Sequence, residues 1–157
     1  MNEEAYNAAK TVWKIYGLLF KELIDLYGEE KALQIHQKSF REHGEGTAEW
    51  LRQQVGDDIN LEKLGNILLG SLEAGGFESE VVVEGPDSVV INNTRCPRYA
   101  GFKLAGLSDE LVRKYCTMGG KNAIGRQLKI LDPKLGFGLR AFKPGEGLCE
   151  EHFFRIK

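Results

Sequence analysis

The sequence predicts an α+β fold in which N-terminal helices are followed by a mostly antiparallel sheet with one interrupting helix. In residues 3–27 the apolar side chains recur every three to four positions, as they do in an amphipathic helix. After residue 76 the period changes to an alternation of two, with β-branched runs. Helices first and strands afterwards are typical of this class. A length of 157 residues predicts one domain, 1–157, with a helical part (1–75) and a sheet part (76–157).

The helical part divides into four predicted helices, each limited by a glycine or by a side chain that can cap free backbone N–H groups. They are residues 3–27 before Gly28, Glu29–His43 before Gly44, AEWLRQQV after Thr47, and LEKLGNILLGSLEA after Asn60.

The sheet part begins with a predicted β-hairpin, because FESEVVVEG and SVVINNT flank the turn sequence GPD. A loop is predicted from Cys96–Pro97 to Gly106, and Ser108 is predicted to cap the interrupting helix DELVRKYCTM. The segments LKIL, GFGLRAFK and LCEEHFFRIK are predicted to form three further strands.

Charge and composition exclude several classes of function. Residues 1–94 carry a formal charge of −9 and residues 95–157 one of +7, within a net charge of −2. The basic side chains are scattered and not interleaved with aromatic ones, so no nucleic-acid partner is expected, whereas a small carboxylate ligand is compatible. No run of 18 apolar residues predicts a membrane span. An acidic, polar N-terminus and an odd number of cysteines predict a cytoplasmic protein with free thiols.

The long apolar face of residues 3–27 exceeds what one small sheet is expected to cover. It includes Trp13, Phe20 and Leu23. We therefore expect a homodimer that forms through the N-terminal helices.

The three cysteines all fall in the last third of the chain, near the predicted ends of elements. Cys96 follows a strand, Cys116 is late on a helix, and Cys149 opens the last strand. A free cysteine often serves only as a small buried apolar side chain. Because all three cysteines lie at the ends of helices or strands, they could also form one shared site in which their sulfur atoms lie close together.

One interpretation of these residues is a metal site. Cys96, Cys116, Cys149 and His152 would make a Cys₃His set, for which zinc is the expected ion. The set requires that Cys149 lies in a turn or a bulge, because residues three apart on a regular strand point to opposite faces.

A second interpretation of the cysteines is catalysis by a thiol. Arg95 and Arg98 flank Cys96 and would lower the pKa of its thiol, and Arg113 lies one helical turn before Cys116. His152 is the only histidine in the basic half and the best candidate to carry a proton.

The runs CPRYAGFKLAGLSDELVRKYC and FKPGEGLCEEHFFRI resemble the L-2-amino-thiazoline-4-carboxylate hydrolase-like family. The matching landmarks are Cys96–Pro97–Arg98–Tyr99, Cys116, and Gly145 to Cys149 to Phe153. A more distant similarity is to 4-vinyl-reductase-type ligand-binding domains, which are small and often dimeric. The family often has an acid three residues after the helix cysteine, where this chain has Gly119.

The resemblance implies a hydrolase that opens a C–N bond in a small carboxylate-bearing ring, and two alternatives stay open. One is a non-enzymatic ligand-binding module, and the other is a domain with a structural metal. For the hydrolase, the expected catalytic residues are Cys96, Cys149 and His152. The residues expected to bind the substrate are Arg95, Arg98, Tyr99 and Arg113.

Overall fold

A computed structural model describes residues 2–157 and confirms the α+β class. Six α-helices and four strands follow one another in these bounds: α1 Glu3–Tyr27, α2 Glu29–Val55, α3 Leu61–Ala74, β1 Glu78–Gly85, β2 Ser88–Arg95, α4 Pro97–Leu104, α5 Asp109–Asn122, α6 Ile124–Leu131, β3 Leu135–Lys143 and β4 Leu148–Arg155. A single 3₁₀ turn at Pro144–Glu146 joins the last two strands.

The four strands form one antiparallel sheet in the order β1-β2-β4-β3. The last strand in the chain is therefore a central strand, between β2 and β3. Its side chains alternate between two faces, so that Cys149, Glu151 and Phe153 share the face that packs on the helices, where Phe153 joins the core. The register between β3 and β4 shifts between Leu139 and Ala141, which places the irregularity in β3 and leaves β4 regular.

Side-chain caps fix where three helices begin. The amide oxygen of Asn60 accepts a hydrogen bond from the backbone of Lys63 at 3.0 Å, and the Ser108 hydroxyl accepts one from Leu111 at 3.2 Å. Both caps were predicted. Asn2 caps α1 in the same way.

The prediction of two helices between residues 29 and 55 is wrong, because α2 runs through Gly44 without a break. Gly44 is buried where α2 crosses the start of α6, and a Cβ atom there would overlap the backbone carbonyl of Ala123. The glycine thus allows two backbones to approach and does not end the helix. The Thr47 hydroxyl donates to the carbonyl of His43 within the same helix, at 2.7 Å, instead of capping a new one.

Two further segments differ from their predicted structure. Residues 97–104, predicted as a loop, form α4, and Pro97 stands at its first position, where a missing N–H costs nothing. LKIL, predicted as a strand, lies in α6 and buries Leu128 and Leu131, three positions apart, on one helix face. The stretch between β2 and β3 therefore holds three helices in place of one.

Two groups of buried side chains make up the core. One lies between the inner face of the sheet and α2, α3 and α6, and includes Leu51, Leu64, Val89 and Phe153. The other joins α1, α2, α4 and α5, and includes Phe20, Phe102 and Tyr115. The cysteines lie where these two groups adjoin.

The apolar face of α1 that was expected to form a dimer is used within the chain. Phe20 is fully buried, and Trp13 and Leu23 are half-buried against α4 and α5. That face is therefore not free for a second copy. Among residues 2–157, no helix has both the length and the apolar character needed to cross a bilayer.

Candidate ligand pocket

The junction of β2 and α4 positions the first cysteine. β2 delivers Cys96 to the N-cap of α4, where its sulfur accepts a hydrogen bond from the backbone of Tyr99 at 3.3 Å. The capping role holds the thiol against the end of the helix. A sequence reading of Cys96–Pro97 as a loop missed this arrangement, although Pro after a polarisable side chain also fits a helix start.

All three cysteines line one small enclosed cavity. Its volume is about 20 Å³, which is about the room that one water molecule needs. Arg98, Tyr99 and Glu151 line it too, together with Phe137 and Phe142. The structure thus brings Cys96, Cys116 and Cys149 to a common wall, although 20 and 33 residues separate them in sequence.

Burial raises the pKa of each of the three thiols. The pKa of Cys116 rises to about 12, and those of Cys96 and Cys149 rise as well. The charge of Arg98 opposes this at all three but is the smaller effect. The sequence led us to expect a lowered pKa at Cys96, and the structure gives the opposite direction, because the sulfur is removed from water.

Native-state alkylation should therefore be slow at every cysteine. At pH 7.5 we expect iodoacetamide to modify each thiol at least about a hundredfold more slowly than in the urea-unfolded chain, since only the thiolate reacts. Peptide mapping by mass spectrometry over time would measure the three rates separately. Rapid modification of any one cysteine in the folded protein would contradict the raised pKa values.

His152 lies on the opposite face of the sheet from Cys149. Its Nε2 is 2.9 Å from the Ser88 hydroxyl, and its ring packs on Phe154 with 4.9 Å between centroids. Since β4 is regular, the expected Cys₃His set and the expected Cys149–His152 pair are not assembled. Among residues 2–157 no three His, Cys, Asp or Glu side chains are arranged to hold a metal ion.

Two of the four residues expected to bind a substrate lie away from the cysteines. Arg95 forms an ion pair with Glu3 at 2.5 Å and stacks on the Tyr6 ring at 3.7 Å. Arg113 lines a separate surface groove between α2 and α5. Tyr99 lines the cavity, and its hydroxyl donates to Asp109 at 3.0 Å.

Arg98 is the expected binding residue that reaches the interior. Its guanidinium lies 4.8 Å from the Trp13 ring centroid and 5.5 Å from that of Phe77, and its Nε atom is buried without a hydrogen-bond partner. Burial disfavours the charged form, but Cys116, Cys96 and Glu151 outweigh it and raise the pKa of Arg98. Arg98 is therefore a partly buried cation whose Nε atom lies in the interior.

Glu151 is the acidic counterpart that sequence reasoning missed. Burial raises the pKa of its carboxyl above the usual range, against the opposing effects of Arg98 and a hydrogen bond from Asn93. Its Oε2 atom is buried and has no hydrogen-bond partner. The signal was present in the sequence, because an acid alternates with Cys149 and Phe153 on the core side of a strand.

A larger pocket of about 320 Å³ adjoins the small cavity and opens to solvent. Arg98, Phe77 and Glu151 line both, so they form the wall between the two. α2, α3, α6 and β4 supply the rest of the pocket. Its other apolar members are Trp50, Leu68, Leu72, Ile124 and Phe153, and its other polar members are His43, Thr47, Ser71 and Gln127.

Gly119, at the position where the resembling family often has an acid, lies close against an aromatic ring. Gly119 is buried in α5, and a Cβ atom would come within 3.0 Å of the Phe40 ring. A carboxylate at that position would require Phe40 to move. Any acid–base group in this site must therefore come from elsewhere, and Glu151 is the buried carboxyl that the pocket contains.

Comparison with protein-family models, curated proteins and solved structures finds no match to this chain.

Proposed function

We propose that this protein binds a small molecule that carries a carboxylate, in the pocket of about 320 Å³. The observation that carries the proposal is the partly buried cation Arg98, whose buried Nε has no hydrogen-bond partner and which lines the pocket. A buried guanidinium N–H that lacks a partner favours a ligand carboxylate, because charge-assisted hydrogen bonds are strong away from water.

The remaining walls support the same proposal. The volume falls within the range of small-molecule sites, and such sites combine apolar walls with a few polar groups. Trp50, Leu68 and Leu72 provide apolar surface for the body of the ligand, while Thr47 and Gln127 offer hydrogen bonds. Trp50 is 45 % exposed, so it lies at the mouth of the pocket.

A second candidate function is hydrolysis of a C–N bond in the bound molecule. The unpartnered Oε2 of Glu151 and the raised pKa of its carboxyl favour a general acid–base group. Glu151 would take a proton from water as the oxygen attacks a C=N carbon and give it to the nitrogen of that bond. It would then pass the proton of the new hydroxyl to the same nitrogen as the C–N bond breaks and the carbonyl forms. This replaces the thiol nucleophile of the sequence-based hypothesis, since the three thiols are protonated at neutral pH.

Calorimetry with a matched pair of ligands tests the binding proposal. L-2-amino-thiazoline-4-carboxylate is the first probe, and its carboxamide, which lacks the negative charge, is the control. We expect the carboxylate to bind at least about tenfold more tightly, because a hydrogen bond to a charged group contributes roughly 1.5–3 kcal/mol. Equal affinities, or no binding of any small carboxylate tried, would reject the role of Arg98.

A variant that fills the pocket separates a pocket ligand from one bound elsewhere. Ser71 is exposed and lines the pocket, so Ser71→Trp should block it and leave the fold intact. Ser39, which is exposed on α2 outside the pocket, gives the matched control Ser39→Trp. Binding should be lost in the first variant and unchanged in the second.

Product analysis by chromatography distinguishes the two candidate functions. If the protein is a hydrolase, Glu151→Gln should stop turnover and still bind the probe. If the wild-type protein binds the probe and never consumes it, the ligand-binding module is the correct description.

A further inference from the structure

A basic groove runs along the surface between α2 on one side and α5 and α6 on the other. It consists of two adjoining hollows, of about 520 and 380 Å³, which share Lys121 and Asn122 in their walls. Among the described residues that line the groove, six are cationic: Arg41, Arg113, Lys114, Lys121, Arg126 and Lys129. Glu45 is the one acidic residue among those same lining residues. The groove is therefore a concave surface with a strong excess of positive charge.

The side of α2 that faces the groove departs from the acidic character of that helix. α2 contains five acidic residues, at positions 29, 30, 42, 45 and 49, and four of these line neither hollow. The positions that do line the groove are four apart, as one face of a helix requires: Leu33, Gln37, Arg41 and Glu45. An acidic helix thus presents a neutral and basic face to α5 and α6 over most of the groove.

Most of the cations in the groove lack an acidic partner. Lys114 forms an ion pair with Glu29 at 2.8 Å, and Arg126 forms one with Glu45 at 2.9 Å. Within the part of the chain that the structure describes, the other four form no ion pair: Arg41, Arg113, Lys121 and Lys129. Because like charges along one groove repel each other, an anion bound between them would lower the electrostatic energy.

The cations extend over a length that one small anion does not span. Arg113 and Lys121 are eight positions apart on α5, which corresponds to about 12 Å along the helix axis. Lys121 lines both hollows, and Lys129 lines only the second. A ligand with a single carboxylate or phosphate group would contact one part of this array, whereas an elongated polyanion would contact all of it.

The two walls of the groove favour a chain of phosphates. Arg41 on α2 and Lys121 on α5 line the same hollow from different helices, so the ligand needs anionic oxygens on more than one side. Every unit of a polyphosphate carries such oxygens, and arginine binds them through paired hydrogen bonds.

The same walls do not suit a nucleic acid or a protein partner. None of the described residues that line the groove is aromatic, so a nucleobase has no ring on which to stack. Leu33 and Met118 provide its larger apolar side chains, and the central aromatic anchors typical of a protein interface are missing from these lining residues.

We propose that the basic groove binds a linear polyphosphate, either as a free inorganic chain or as the phosphate tail of a nucleotide. Arg113 contacts one end of the chain, Lys121 its middle and Lys129 its other end. The proposal does not depend on the ligand pocket, because none of the six cations lines that pocket.

Calorimetry with inorganic phosphates tests the proposal on the full-length chain, without divalent cations. In about 0.1 M salt, where charges still act over roughly 10 Å, tripolyphosphate should bind at least about tenfold more tightly than orthophosphate. ATP then distinguishes the two sources of the chain. Binding of ATP at least as tight as that of tripolyphosphate would identify a nucleotide tail, and weaker binding would identify the free chain.

A charge reversal in the groove tests where the polyphosphate binds. Lys121→Glu should weaken the binding of tripolyphosphate at least about tenfold, because Lys121 lines both hollows. Lys14→Glu, at an exposed position of α1 outside the groove, changes the net charge equally and should have little effect. Ser71→Trp, which blocks the ligand pocket, should leave this binding unchanged. Circular dichroism shows whether each variant is folded.

Removal of the acid in the groove should strengthen binding. Glu45→Gln releases Arg126 from its ion pair and removes a repelling carboxylate, so the affinity for tripolyphosphate should rise at least about threefold. Glu42→Gln, at an exposed acid of α2 outside the groove, is the matched control and should change it little. If Lys121→Glu does not fold, this gain in affinity decides the question.

Four results would overturn the proposal. They are no binding of tripolyphosphate, equal affinities for tripolyphosphate and orthophosphate, equal losses in Lys121→Glu and Lys14→Glu, and an unchanged affinity in Glu45→Gln. Tighter binding of hexaglutamate than of tripolyphosphate would also reject it, because the groove would then select an acidic peptide.

Discussion

Replacing Arg98 with methionine is expected to lower the free energy of unfolding by about 3 kcal/mol at neutral pH, because the Glu151 carboxylate loses its opposing charge in the interior. Arg98 is the group that most strongly lowers the pKa of Glu151 against the effect of burial. Without it, the folded state holds a proton on Glu151 far more tightly than the unfolded state does.

The pH dependence of this loss follows from the direction of that shift. When the pKa of a carboxyl is higher in the folded state than its unfolded value of 4.5, the protonated group stabilises the folded protein. The free energy of unfolding therefore falls as the pH rises from about 4.5 through the folded pKa. The penalty of Arg98→Met should therefore be largest at neutral pH and shrink on acidification. Urea unfolding at pH 7 and at pH 5 measures both values.

A double variant and a control variant test the electrostatic explanation further. Arg98→Met combined with Glu151→Gln should recover most of the lost stability at pH 7, since no buried charge is then left uncompensated. Arg113→Met, at an exposed arginine, should change the free energy of unfolding by less than about 0.5 kcal/mol. A penalty for Arg98→Met that does not vary with pH would refute the electrostatic explanation.

Gly44→Ala is expected to destabilise the protein by about 3 kcal/mol, although alanine is the better helix former. The added methyl group would overlap the carbonyl oxygen of Ala123, and a backbone atom cannot turn aside as a flexible side chain can. α2 and the start of α6 would have to move apart. Thermal and chemical unfolding would measure the loss.

Gly46, two positions later in the same helix, gives the matched control. A Cβ atom there meets nothing within 4 Å, so Gly46→Ala should increase the free energy of unfolding by about 1 kcal/mol through helix propensity alone. Equal effects of the two substitutions, in either direction, would be incompatible with a close crossing at Gly44.

Local signals were sufficient for the elements that depend on nearby residues. The periodicity of α1, the Asn60 and Ser108 caps, and the β1–β2 hairpin were all predicted from sequence. The continuity of α2 was not, because the role of Gly44 is set by Ala123, 79 positions away in the chain. A four-residue apolar run such as LKIL suits a strand or a helix equally well, and packing decides between them.

The candidate site, like the fold, has features that the sequence predicted and features that it did not. The sequence predicted Arg98, Tyr99 and the three cysteines as site residues, and all five line one small cavity, while the roles assigned to them stay predictions. The prediction that His152 acts together with Cys149 was wrong, because the regular pleat of β4 places the two side chains on opposite faces of the sheet. The larger pocket could not be predicted, since its wall depends on how α2, α3 and α6 pack above the sheet.

The strand order also determines when the protein can fold during synthesis. β4 follows β2 and β3 in the chain, yet it lies between them, and neither of those strands is paired on that side before β4 arrives. The nascent chain therefore exposes these two unsatisfied strand edges until β4 has emerged from the ribosome, and such edges are prone to aggregate. A stop codon shortly before β4 would leave a polypeptide that has its helices but lacks the strand that joins β2 to β3, which is the kind of product that cellular proteases remove.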